Sequence, residues 1–182
     1  MKKNLLLMIA LLCAFIANAQ TDDNSLAMQL VKKQQAAIGL SDEDLNNVIV
    51  SNSYFNQTSG TQLVYLQQSY KGIPVFNQLH VLAFKNGQLV SKSGGRIKGI
   101  EKKTGNNNGI PMINAETAVK SAMADRKLIA PRMPAVLSSE KNGHFITFDN
   151  MGISRENITA ELMWVPLEDG KSVELAWQVY II

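Results

Sequence analysis

At 182 residues, with 46% hydrophobic and 18% charged side chains, the chain has room for one ordinary domain or two small ones and a globular composition. Its formal net charge of +3 overstates how basic the working protein is. Lys2 and Lys3 sit in a leader, and without them the 18 basic side chains become 16 against 15 acidic ones. A near-neutral chain offers no electrostatic ground for nucleic acid or acidic lipid as a partner.

The leader is residues 1–19. Lys2-Lys3 precede an apolar run from Leu5 to Ile16 and an Ala17-Asn18-Ala19 ending. This is the layout of a secretory signal peptide, with cleavage expected between Ala19 and Gln20 and a secreted, extracellular product. The apolar run is too short to anchor the chain across a bilayer. A lipoprotein reading through Cys13 is opposed by Leu12, which stands where a small residue is wanted. Cys13 is the single cysteine. It leaves with the leader, so disulfides are excluded and stability must come from packing.

Thr21 to Ser25 reads as a polar lead-in, with Ser25 as N-cap of a first helix. Leu26, Ala27, Leu30, Val31, Ala37 and Ile38 recur at helical spacing, Lys32 and Lys33 fall in the second half, and Gly39 stands at the C-cap position. Asp42-Glu43-Asp44 reads as a solvated connection. A strand is expected from Val48 towards Phe55, and Thr58-Ser59-Gly60 turns the chain.

Tyr65 to Gly95 then predicts a three-stranded antiparallel meander with two punctuation points. At Lys71-Gly72-Ile73-Pro74, Gly supplies backbone freedom, while Pro fixes φ and keeps Ile73 extended. At Asn86-Gly87 both turn positions accept φ > 0, which is the strongest short-range hairpin signal.

From Lys98 to Gly109 the chain is polar and turn-rich, which marks a boundary. Beyond it Asn114 caps a second helix, with Ala115, Ala118, Val119, Ala122 and Met123 as its apolar stripe, Arg126 and Lys127 in its last turns and Pro131 ending it. Hairpins follow around Asn142-Gly143 and Asp169-Gly170. Each half reads as one helix followed by antiparallel strands. The fold class is therefore α+β, with two small helix-plus-antiparallel-sheet units expected to pack on each other.

Two sets of residues carry a family resemblance. Gln68, Tyr70, Gly72, Ile73, Pro74, Val75 and Phe76, with Asn86-Gly87 further on, resemble the fungalysin/thermolysin propeptide (FTP) domain. Ile113 to Ala122, Glu161 to Pro166 and the run Leu175-Ala176-Trp177 resemble the PepSY-type half of the same prodomains. The resemblance implies an FTP-like domain over residues 20–98, a linker over 99–112 and a PepSY-like domain over 113–182, each of cystatin-like shape. It implies the N-terminal prodomain of a fungalysin-like secreted zinc metallopeptidase, a folding helper and inhibitor of a catalytic domain that continues in cis beyond Ile182. Zinc is then expected only in that catalytic domain. No cofactor is expected in this chain, and no nucleic acid or membrane partner once the leader is gone.

No catalytic set is expected here. A zinc peptidase needs His-Glu-x-x-His, but Val81 follows His80 and Phe145 follows His144. A site built from these two histidines and a carboxylate carries less weight than two ordinary strand residues. No Gly-x-Ser-x-Gly elbow is present, and Gly94-Gly95 lacks what a phosphate loop requires. Trp164 and Trp177 alternate with apolar neighbours and read as core or interface residues rather than a binding surface. The alternative to a prodomain is a stand-alone secreted cystatin-like peptidase inhibitor or binding module acting in trans. A decayed gene remnant is the third reading. Gln178 to Ile182 stops inside an apolar strand, which is expected of the front piece of a longer product.

Overall fold

A computed structural model describes residues 19–105 and 107–182. The leader reading, apart from Ala19, lies outside the described residues. Contacts divide the described chain into two units: residues 19–68 with Gln78–Arg96, and Ser69–Asn77 with Ile97–Ile182. Helices and a mixed arrangement of strands make the class α+β. No described helix is long and apolar enough to cross a membrane.

In the first unit α1 (Ala19–Lys33), α2 (Gln35–Ile38) and α3 (Asp42–Asn46) precede β1 (Val48–Asn56), β2 (Thr61–Tyr70), β3 (Ile73–Lys85) and β4 (Gln88–Gly94). β1 pairs antiparallel with β2, with a bulge between Val50 and Asn52, and β3 pairs antiparallel with β4. β2 neighbours β3, so the expected meander is present. Period-2 alternation turns Val64, Leu66, Leu82 and Phe84 inward against Ala27, Val31, Ile38 and Leu40. Each large side chain buried there stabilises the unit by about 1.5–3 kcal/mol over leaving it exposed.

Three local expectations change in this unit. α1 begins at Ala19, so Thr21 to Ser25 is helix and Ser25 is not its cap. No Gly or Pro interrupts the stretch. Asp42-Glu43-Asp44 belongs to α3, which Ser41 opens with a capping box: Ser41 Oγ accepts from the Asp44 N–H, and the Asp44 carboxylate accepts from the Ser41 N–H. Leu26 and Ala37 are exposed, whereas Ala27, Val31 and Ile38 are buried in the core and Leu30 packs against it. Gly39 is the left-handed C-cap as expected, with φ 86°.

In the second unit α4 (Ala115–Asp125) precedes β5 (Val136–Glu140), β6 (Phe145–Phe148), β7 (Ile158–Leu167) and β8 (Ser172–Tyr180). The strands run antiparallel in the order β5-β6-β7-β8. The unit is not purely antiparallel, because the first residues of β3 join β7 in parallel with Val75 opposite Trp164. Asn114 Oδ1 accepts from the Thr117 N–H and caps α4 as expected. The helix ends at Asp125 rather than at Pro131. Lys127 takes a left-handed φ of 55°, and the Leu128 N–H closes back on the Met123 carbonyl.

Two cores result. Ala115 and Val119 of α4 pack with Phe148, Met151, Ile158 and Ala160. Ile73, Val75, Ile97, Ile100, Leu162, Trp164 and Val173 form the other. The stretch from Lys98 to Gly109 is thus no bare linker. Ile100 and Thr104 are buried, and the Lys103 carbonyl accepts from the Val173 N–H at 2.9 Å.

Candidate functional site

Seven of the nine residues quoted for the FTP likeness lie on the β2–β3 hairpin, and most of them sit at its tip, Ser69–Asn77, in the second unit. Lys71 and Gly72 form a two-residue turn in which both have φ > 0, at 54° and 75°. That is the twist-matched hairpin turn. Nothing lies within 4 Å of where a Gly72 Cβ would be, so glycine is required for the backbone angle and not for space.

Extended backbone after the turn sends Ile73 and Val75 into the core beside Leu162 and Trp164. Pro74 and Phe76 take the alternate, partly exposed positions. The Trp164 indole N–H donates to the Tyr70 carbonyl at 2.9 Å, and the Tyr70 and Trp164 rings meet at 5.8 Å. Lys71 Nζ lies 5.5 Å from the Tyr70 ring centroid and donates to Asn108 Oδ1 at 2.8 Å. Gln68, the eighth position from the start of β2, is buried in the first unit.

Asn86-Gly87 is a second turn of the same kind, with φ of 50° and 74°, in the first unit. Gln34 Nε2 donates to the Gly87 carbonyl at 3.1 Å and so ties this turn to the end of α1. Leu175, Ala176 and Trp177 lie on β8. Leu175 and Trp177 face inward, and Trp177 Nε1 donates to the Ile113 carbonyl at 2.8 Å. They line an open groove of roughly 1180 Å³ whose other walls are α4 and the exposed Met112 arm. Met112 and Leu128 were not signalled by the sequence, because their roles depend on the arm and loop paths.

The first unit gathers its charge at one corner. Arg96 grips Asp44 through two hydrogen bonds of 2.9 and 2.8 Å and also donates to the Gly39 carbonyl. Lys92 Nζ donates to the carbonyls of Ala37 and Ile38, capping the end of α2. Burial disfavours ionisation of Asp44, but Arg96 and Ser41 outweigh it, and its pKa falls below the ordinary carboxylate value. His80 is pushed down by burial first, then by the nearby Arg96 and Lys92 cations, with Asp44 opposing. These cations already have partners, so the corner is a structural clamp.

His144 lies in the second unit and His80 in the first. Among the described residues no group of three or more His, Cys, Asp or Glu side chains could hold a metal ion.

Residues 48–95 match the family model described as the Fungalysin/Thermolysin Propeptide Motif. The match starts on the first residue of β1 and ends one residue past β4, so a complete four-strand segment carries it. The chain therefore contains an FTP motif, the propeptide motif of fungalysin/thermolysin-type peptidases. Residues 113–182, with their PepSY-type likeness, lie outside the match. No curated protein matches the chain.

Proposed function

We propose that the chain is the prodomain of a secreted fungalysin-like zinc metallopeptidase, and that it assists folding of the catalytic domain and inhibits it until cleavage. The observation that carries this reading is the FTP match over the whole of β1–β4. Residues 113–182 supply a PepSY-type second half, and the leader exports the precursor.

The physics needed is modest. A tethered partner sees an effective concentration of about a millimolar, so a micromolar intrinsic Kd holds occupancy near a thousand to one, about 4 kcal/mol. Proteolysis removes the tether and the advantage dilutes away. Blocking then rests on apolar and strand-edge contact rather than on a group aimed at the metal.

The test supplies residues 20–182 in trans to the cognate catalytic domain and follows peptide hydrolysis at low and high salt. Reversible inhibition with weak salt dependence is expected, as is faster recovery of activity when the denatured catalytic domain refolds in its presence. Absence of inhibition at about a hundred micromolar, with both proteins folded, removes the inhibitor role. An unchanged refolding yield removes the helper role.

A further inference from the structure

Among the described residues β1, β4, β5 and β8 pair along one side only. An edge strand shows unpaired N–H and C=O groups to any extended chain, and proteins blunt such edges with bulges, prolines or short strands. β1, β4 and β5 each carry an extra residue that breaks the register: Ser51, Val90 and Leu137 respectively. β8 has no such device. Its nine residues contain no proline and follow β7 in unbroken register, from Ser172 opposite Leu167 to Tyr180 opposite Thr159.

Two bonds fix which way the β8 main chain points. The Val173 N–H donates away from β7, to the Lys103 carbonyl at 2.9 Å. Leu162, opposite Trp177, turns its N–H to the far side of β7, to the His144 carbonyl at 2.7 Å. Main-chain direction alternates along an antiparallel strand, so Leu175, Trp177 and Val179 also point their N–H and C=O groups to the free edge. No main-chain group of another described segment bonds to them there. The arm from Thr104 to Ile113 leaves them unpaired, and its Ile113 carbonyl takes the Trp177 indole N–H instead.

This edge opens on the groove of roughly 1180 Å³. Leu175, Trp177 and Val179 line it with half-buried side chains, and α4 contributes the small Ala118, Ser121 and Ala122. An extended backbone laid along β8 would exchange both hydrogen bonds with each of these three β8 residues. Its side chains at those positions would share their face and enter the groove. The intervening side chains would fall beside the exposed Glu174 and Gln178. The volume exceeds that of an ordinary small-molecule pocket, at about 300–1,000 Å³, and extends past three successive pairing positions. α4 and the Met112 arm wall it, which suits a single extended chain better than the edge of a second folded copy.

We propose that this groove is a peptide-binding site. It takes an extended segment of another polypeptide, with apolar side chains at alternate positions, as an added strand beside β8. Under the prodomain reading that segment is a strand of the catalytic domain; the groove itself does not rest on that reading.

The probe is a fluorescein-labelled synthetic peptide, Thr-Val-Lys-Val-Thr-Val-Lys, titrated with the whole exported chain and followed by fluorescence anisotropy. Saturable one-to-one binding is expected. N-methylation of the three valines, whose amides face β8, should weaken it about tenfold or more. N-methylation of the lysine and threonine between them should change it less than about twofold, because those amides face away. Ser121→Trp fills the groove from an exposed position, and Val179→Pro removes one outward N–H. Each should weaken binding about tenfold with unchanged far-UV circular dichroism, and Ser121→Trp decides alone if Val179→Pro does not fold.

No saturation at about a millimolar overturns the proposal, as do equal losses from the two methylation patterns. So does unaltered binding by Ser121→Trp. A chain that dimerises in ultracentrifugation, with the dimer lost in Val179→Pro, puts a second copy on the edge and overturns it too. The assay contains no peptidase, so its failure leaves the prodomain reading standing, and a prodomain that never inhibits leaves the groove standing.

Discussion

Trp164 and Tyr70 are joined twice: the indole N–H donates to the Tyr70 carbonyl at 2.9 Å across 94 residues of sequence, and the rings meet at an interplanar angle of 56°. The FTP-type turn is thereby built into the core of the second unit. It is Trp164, fully buried on β7, that satisfies the last carbonyl before Lys71-Gly72.

Trp164→Phe leaves that carbonyl without its donor and the core with a void. A loss of about 2–4 kcal/mol is expected. Tyr70→Leu keeps the carbonyl and loses only the ring contact, so about 1 kcal/mol is expected. Urea midpoints of the whole chain compare them. Equal losses would assign the effect to the rings and not to the hydrogen bond.

Gly72 and Gly94 separate backbone strain from steric clash. Both have positive φ, 75° and 90°. A Cβ on Gly72 meets nothing, whereas one on Gly94 would sit 1.9 Å from the Leu79 carbonyl oxygen. Gly72→Ala should therefore cost about 1–2 kcal/mol, the price of the left-handed conformation alone. Gly72→Val should cost about 1–3 kcal/mol, because a β-branched residue is still more strained there. Gly94→Ala adds a backbone clash and should exceed about 3 kcal/mol or prevent folding of β3–β4. Thermal or urea unfolding ranks the three, and a Gly94→Ala variant as stable as Gly72→Ala would contradict the close approach.

Ser41 offers a smaller, local test. Its hydroxyl accepts from the Asp44 N–H at 3.1 Å and opens α3. Ser41→Ala should cost about 0.5–2 kcal/mol, and Ser41→Thr, which keeps the hydroxyl, much less. If both cost the same in urea unfolding, the cap contributes nothing specific.

The parts legible in the sequence were those written in local chemistry. Lys71-Gly72 and Asn86-Gly87 announce their turns through residues that accept φ > 0, and Asn114 announces α4 through one side-chain oxygen. The Ser41–Asp44 box was also local, but three acids in a row outweighed a short cap signal. The left-handed Lys127 carries no signal, since no glycine stands there. What the sequence could not display is partner choice at long range. Val75 pairs with Trp164, and Ile97 and Ile100 join the same core, so the family-like hairpin tip falls in one unit while the strands that carry the match fall mainly in the other. Periodicity tells which side chains turn inward and is silent on what they meet.

The clamp in the first unit makes stability depend on pH in one direction. The His80 pKa is lower in the folded chain, through burial and then through Arg96 and Lys92, than the value of about 6.5 in the unfolded chain. Below about pH 6.5 the unfolded chain therefore binds the extra proton more readily, and stability falls until the pH passes the folded pKa. Asp44 is also lowered in the folded chain. Burial acts against that shift, but the Arg96 fork and the Ser41 hydrogen bonds prevail. Its contribution is present above the unfolded carboxylate pKa of about 4 and is lost as pH falls through the lower folded value. Acid should thus weaken the first unit in two stages, the first belonging to His80. His80→Gln should flatten the slope below about pH 6.5 while leaving the lower stage, whereas Asp44→Asn should remove the lower stage and enlarge the upper one, because its carboxylate opposes the depression of His80. Arg96→Ala should cost stability at pH 7 and shrink both stages, because it removes the partner of one group and a cation acting on the other. Urea midpoints measured from about pH 2 to 8 read all four chains, and a His80→Gln chain with the unaltered upper slope would exclude this histidine as its source.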